Sequence, residues 1–97
     1  MNKNQDKTWE REGAILEGAI DKWGERLQVA VAIEEMAELI RALCKWLRGG
    51  RDDRTMANIL EEMADVGIMH SQLELIFGDC TEQTVEKLQR LEGRLLE

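Results

Sequence analysis

From Val29 to Cys44 the sequence reads VAVAIEEMAELIRALC. Wound into a helix, this stretch is apolar almost all the way round, and such a helix is enclosed by other helices on most sides. Yet Glu34, Glu35 and Glu38 stand in its middle. A second stretch, MADVGIMHSQLELIF over residues 63–77, repeats the anomaly, with Asp65 inside it and Glu61 and Glu62 just before it. Carboxylates among apolar side chains are costly unless they are paired or bound. Any fold of this chain must therefore bring these acids a partner or leave them a wet face.

The rest of the sequence points to an all-α protein. The 97 residues suit one domain spanning 1–97, contain no proline, and include only three tryptophans and one phenylalanine as aromatic residues. Residues 1–7 read as a flexible tail. Thr8 is expected to cap a first helix running to about Trp23, with an apolar stripe of Ile15, Leu16, Ala19, Ile20 and Trp23. Gly24 makes the first joint. A long second helix, from about Glu25 to Leu47, carries Ile33, Met36, Ile40, Leu43 and Leu47 at alternating three- and four-residue spacing, and Gly49-Gly50 ends it. Arg51 to Arg54 read as a charged loop. The third helix, from about Thr55 to Phe77, has Ile59, Met63, Val66, His70, Leu73 and Phe77 in the same spacing, which assigns His70 to the core. After Gly78-Asp79, Thr81 is expected to cap a last helix edged by Val85, Leu88, Leu91 and Leu95. The expected architecture is a four-helix bundle. Its second and third helices are apolar on more faces than so small a bundle can cover, so a homodimer or homotetramer is expected to complete the core.

Charge and cysteine content narrow the function. A formal net charge of −7 repels a phosphate backbone, and Arg48, Arg51 and Arg54 are interrupted by Asp52 and Asp53, so nucleic acid is not an expected partner. No apolar run reaches the length of a membrane span, and no signal peptide leads the chain, which makes a cytoplasmic protein the expectation. Cys44 and Cys80 sit in no C-x-x-C, and one histidine cannot complete a zinc set with them; they read as two reduced thiols.

Spacing gives the acids a geometry. Residues three apart on a helix share a face, so Glu35 points with Glu38, and Glu62 with Asp65. If the two helices pack antiparallel, four carboxylates face one another. Each then raises the others' pKa values, and a hard divalent cation relieves the repulsion. Magnesium takes oxygen ligands in near-octahedral geometry and keeps open positions for water or phosphate oxygens. Solvated faces, or ion pairs to Arg41, Lys45 or Arg54, are the alternative. A di-iron carboxylate centre needs Glu-x-x-His motifs, and His70 stands eight residues after Glu62.

At these residues the chain resembles a known family. Glu34-Glu35-Met36-Ala37-Glu38 followed by Glu62-Met63-Ala64-Asp65 is similar to the EExxE…ExxD signature of the MazG-like, all-α nucleoside triphosphate pyrophosphohydrolases. The joints Trp23-Gly24 and Arg48-Gly49, the segment AELIRALCKWLRG and the ending VEKLQRLEGRLLE also look like small members of that family, including those of phages and prophages. The resemblance covers about residues 10–96. It implies magnesium, or manganese in its place, held by Glu35, Glu38, Glu62 and Asp65. It also implies hydrolysis between the α and β phosphates of a nucleoside triphosphate, giving a monophosphate and pyrophosphate. Glu35 or Glu38 is the expected general base; Glu34 fills the first motif position without an assigned role. Lys45, seven residues past Glu38, and Lys87 on the last helix are candidates for phosphate contacts, alongside Arg41 and Arg90. Trp23 and Trp46 are candidates for stacking on a base. A noncanonical or deoxynucleotide is the expected substrate, as for a housecleaning enzyme. A noncatalytic nucleotide- or metal-binding helical oligomer is the alternative.

Overall fold

The computed structural model describes residues 11–97. Among them are four α-helices and no strand: α1 Glu12–Trp23, α2 Glu25–Leu47, α3 Asp53–Phe77 and α4 Thr81–Leu95. The all-α class is as read from the sequence. The tail over residues 1–7 and the Thr8 cap lie outside the described residues.

Local chemistry sets the helix ends. At the end of α2, Gly50 N–H bonds to Lys45 O at 3.1 Å and Gly49 N–H to Trp46 O at 3.0 Å. This pair of bonds closes a Schellman motif around Gly49, whose φ of 104° a side chain would oppose. α3 then starts two residues earlier than Thr55. Asp52 takes the N-cap position, and its Oδ1 accepts the Thr55 N–H at 2.7 Å. Half of the expected charged loop is thereby drawn into the helix start. Thr81 is the first residue of α4 and not its cap; its N–H is taken by Asp79 Oδ1 at 3.0 Å.

The dominant packing is between α2 and α3, which run antiparallel: Gln28 at the start of α2 bonds Gln72 late in α3, and Lys45 at the end of α2 lies beside Thr55 at the start of α3. The seam between them has a four-three spacing on both sides. On α2 it comprises Gln28, Ala32, Glu35, Leu39, Ala42 and Trp46; on α3 it comprises Thr55, Ile59, Glu62, Val66, Met69 and Leu73, with Gln72 beside it, and all are buried or half-buried. α1 packs on this pair through buried Leu16.

This seam is displaced by one residue from the α2 stripe expected from sequence. Ile33, Ile40 and Leu47 of that stripe are 61%, 62% and 71% exposed. The physical reason is that α2 is apolar on nearly every face, so periodicity alone does not choose a face. The two alanines, Ala32 and Ala42, permit a close helix approach that the larger residues would block. On α3 the seam passes through Ile59, Val66 and Leu73 as expected, but through Glu62 and Met69 where Met63 and His70 were expected. His70 is exposed, which corrects its assignment to the core.

α4 carries no buried residue, and among the described residues it does not pack along another helix. Its apolar edge, Val85, Leu88, Leu91 and Leu95, faces outward. No helix of the described residues is long and apolar enough to cross a membrane.

Because Gly49 holds a positive φ inside the Schellman motif, Gly49→Ala is expected to lower the unfolding free energy by about 1 kcal/mol. Denaturant titration of the two proteins measures it, and unchanged stability would refute the role assigned to this turn.

Candidate metal centre

Midway along the seam, Glu35 of α2 meets Glu62 and Asp65 of α3. One ligand oxygen from each carboxylate lies within 4.8 Å of the other two. No other group of three or more histidine, cysteine or acidic side chains gathers this closely among the described residues. Glu35 and Glu62 occupy seam positions and are half-buried, whereas Asp65, one residue before the seam position Val66, is exposed at the rim.

The electrostatic cost of this meeting is visible in its members. Burial raises the Glu35 carboxyl above the ordinary glutamate range, and the charges of Asp65 and Glu62 push it further, with a hydrogen bond to Asp65 and the charge of Glu38 adding to this. Glu62 is raised likewise, by burial first, then by Asp65, Glu38 and Glu61. One oxygen of Glu62, Oε2, is buried and has no hydrogen-bond partner. A buried acceptor without a donor is a position that a cation satisfies.

The donor set fits a hard divalent ion. Three carboxylates offer oxygen ligands only, the preference of magnesium or manganese. At magnesium–oxygen distances of about 2.1 Å, opposite ligands of an octahedron are about 4.2 Å apart, so small side-chain rotations suffice. The open rim beside Asp65 leaves room for water or a phosphate oxygen.

The fourth expected ligand stands slightly apart. Glu38 is close enough to raise both Glu35 and Glu62 but is outside the group of three, and its Oε2 lies 3.7 Å from Arg41 Nη1 in an exposed pair. Three residues fall about 60° short of a full turn of helix. Glu38 is therefore turned toward the rim of the seam, as Asp65 is by the same offset from Glu62, and what sets Glu38 apart is its pairing with Arg41. Exposed pairs of this kind hold weakly, and the Glu38 side chain is free to swing toward the cluster. Glu34 is exposed.

The candidate substrate contacts are dispersed. Lys45 lines a hollow with Asp52, Arg54, Thr55, Ala57, Asn58 and Glu61, beside the turn that precedes Glu62. Trp46 is half-buried, and the Arg51 guanidinium lies 4.0 Å from its ring centre. Trp23 is exposed at the end of α1, with Lys22 Nζ 5.2 Å from its ring. Lys87 and Arg90 line an open groove along α4, away from the α2–α3 seam. The sequence reading did not single out Gln28 and Gln72. They are buried, with Gln72 Nε2 donating to Gln28 Oε1 at 3.2 Å. The signal for Gln28 was its place in the four-three spacing, legible only once Glu35 is taken as a seam residue; Gln72 lies beside that spacing on α3. Sliding one helix past the other would leave both amides buried without partners, at about 1–3 kcal/mol for each lost group, so the pair helps hold the acids in register.

Comparison with protein-family models, curated proteins and solved structures gave no match. The MazG-like reading thus stands on the motif residues themselves.

The raised carboxyls give the metal-free chain a definite pH response. Below the ordinary glutamate pKa, Glu35 and Glu62 are protonated in folded and unfolded chain alike. As pH rises through their raised folded-state values, the folded chain must ionise crowded groups, and their contribution to stability is lost. Asp52 and Asp79, lowered by their hydrogen bonds to Thr55 and Thr81, act in the opposite sense: their contribution is lost as pH falls through their lowered values. Thermal melts in chelator are expected to show Glu35→Gln losing less stability than the parent between mild acid and neutral pH. Magnesium should raise the parent's Tm at neutral pH and leave that of the variant unchanged. Equal pH slopes and equal magnesium responses would refute the site.

Proposed function

We propose that this protein is a magnesium-dependent nucleoside triphosphate pyrophosphohydrolase, releasing a nucleoside monophosphate and pyrophosphate. The observation that carries the reading is the convergence of Glu35, Glu62 and Asp65 across the α2–α3 seam, within paired motifs of EExxE and ExxD spacing. Its fit to an all-oxygen cation site and its resemblance to MazG-like enzymes support the same conclusion.

Magnesium, when bound, supplies positive charge against the phosphate oxygens and polarises them. The chain's own groups supply the rest. Glu35, Glu62 and Asp65 would hold the ion, and Glu38, now paired with Arg41, would be a fourth carboxylate beside it. Glu35 and Glu38 are the carboxylates placed to accept the proton of a water attacking the α-phosphorus. Lys45 and Arg54 share a hollow near Thr55, seven residues or roughly 10 Å along α3 from Glu62, a distance suited to the outer phosphates. A base would stack on Trp46 in place of Arg51, or on Trp23. A noncanonical or deoxynucleotide remains the favoured substrate class. The pairing of Glu38 with Arg41 favours one alternative, a noncatalytic nucleotide or metal sensor built on the same carboxylates.

The reading includes a homodimer or homotetramer in the cytoplasm. Ile33, Ile40 and Leu47 on α2 and Val85, Leu88, Leu91 and Leu95 on α4 are exposed apolar side chains that a second copy would cover. A second copy covering them would also be the route by which Lys87 reaches a substrate.

Pyrophosphate release from a panel of standard, deoxy- and damaged triphosphates tests the activity. Release with magnesium is expected for at least one of them. Glu38→Gln should reduce it by at least about 100-fold, the upper range for loss of a mere supporting contact, with helicity unchanged. Absence of release from every triphosphate would sink the enzyme reading, and magnesium binding by calorimetry would then support the sensor. For assembly, sedimentation is expected to give a dimer or tetramer that Ile40→Asp converts toward monomer; a monomeric parent would overturn that part.

A further inference from the structure

Where α3 ends and α4 begins, three side chains of different chemistry meet. Cys80 occupies the N-cap position of α4, and its Sγ lies 3.8 Å from Nε2 of His70. The other ring nitrogen, Nδ1, lies 3.5 Å from Oε1 of Glu74. Glu74 is itself positioned: its Oε2 accepts the Cys80 backbone N–H at 3.4 Å and lies 4.0 Å from Sγ. The Thr84 hydroxyl, bonded to the Cys80 carbonyl at 2.8 Å, is 3.7 Å from the sulfur.

Thiol, imidazole and carboxylate in this order make up an activated nucleophile: a base within reach of the nucleophile, and a third group that holds the base in the useful tautomer. A hydrogen on Nδ1 is favoured by the Glu74 carboxylate, which leaves the lone pair of Nε2 facing Sγ. The positive end of α4 favours negative charge developing on the sulfur. The group is also reachable, since Cys80 is half-buried and the His70 side chain is 58% exposed. Neither His70 nor Cys80 is used by the acid cluster; the sequence assigns them to the core and to a reduced thiol.

We propose that Cys80 is a nucleophilic thiol that undergoes exchange with disulfides of small thiols, using His70 as its base and Glu74 to position His70. In the exchange the Sγ proton passes to Nε2 of His70, Sγ forms a bond to one sulfur of the incoming disulfide, and the disulfide's own S–S bond breaks. The departing thiolate takes the proton back from His70, leaving a mixed disulfide on Cys80 and one free small thiol. Such a modification, at the joint from which α4 projects, is independent of the nucleotide reading.

The test uses the full chain with Cys44→Ser, so that Cys80 is the only thiol, and the uncharged disulfide 2,2′-dithiodipyridine, whose released thione is read by absorbance. The reference is the same protein unfolded in denaturant, where Cys80 has no neighbours. The folded chain is expected to react about 10-fold faster than the unfolded one. His70→Gln should bring the folded rate to the unfolded rate or below it, with the helical circular dichroism unchanged. Should His70→Gln lose helicity, Glu74→Gln carries the same expectation, because it frees the ring. A folded rate no greater than the unfolded rate overturns the proposal, and so does an enhancement that survives the histidine or glutamate replacement in a folded chain.

Discussion

Two helices approach closely only where the side chains between them are small or share the space. The α2–α3 seam meets that condition with Ala32 and Ala42 on one side and with Thr55, Ile59 and Met69 on the other. α1 packs on this contact through Leu16, while α4 stands clear of it. The seam fixes which side of α2 turns inward, carries Glu35 and Glu62 into a half-buried position, and leaves Ile33, Ile40 and Leu47 outward. The Gln28–Gln72 bond at one end, with the Schellman turn and Asp52 cap at the other, holds the two helices at a single register.

A seam that buries carboxylates stores electrostatic cost. Glu35 and Glu62 are both displaced toward their neutral forms by burial and by neighbouring acids, and an oxygen of Glu62 has no donor. A folding optimum would place leucine at these positions. A chain that keeps acids there gives up stability and gains a place where positive charge is favoured. The same logic accounts for Glu38. It stands one step round the helix, exposed and lightly held by Arg41, without adding to the buried charge.

Much of this was legible in the sequence. The absence of proline, the long apolar runs and the glycine joints gave four helices with ends within a few residues of those observed. The outliers follow from side-chain capping that competes with simple pattern: Asp52 starts α3 early, and Asp79 serves Thr81 in place of a threonine cap. The three-residue spacing of acids puts Glu62 and Asp65 on one side of α3, and the structure brings both to Glu35. Spacing placed Glu38 on the same side as Glu35 but could not show that its side chain pairs with Arg41 and stands outside the group. The face of α2 was misjudged because an all-round apolar helix has no preferred stripe, and His70 was placed in the core by the same shift.

The sequence by itself determined the helices, their joints and the presence of two acidic motifs at mutually compatible spacing, because backbone preference and residue spacing are local properties. Only the tertiary structure decided which acids meet. That choice depends on how closely α2 and α3 can approach, and the alanines and the glutamine pair set it across a sequence separation of 44 residues. The tertiary structure alone also brought Cys80, His70 and Glu74 together, since the turn at Gly78-Asp79 returns Cys80 to the side of α3 that carries His70 and Glu74.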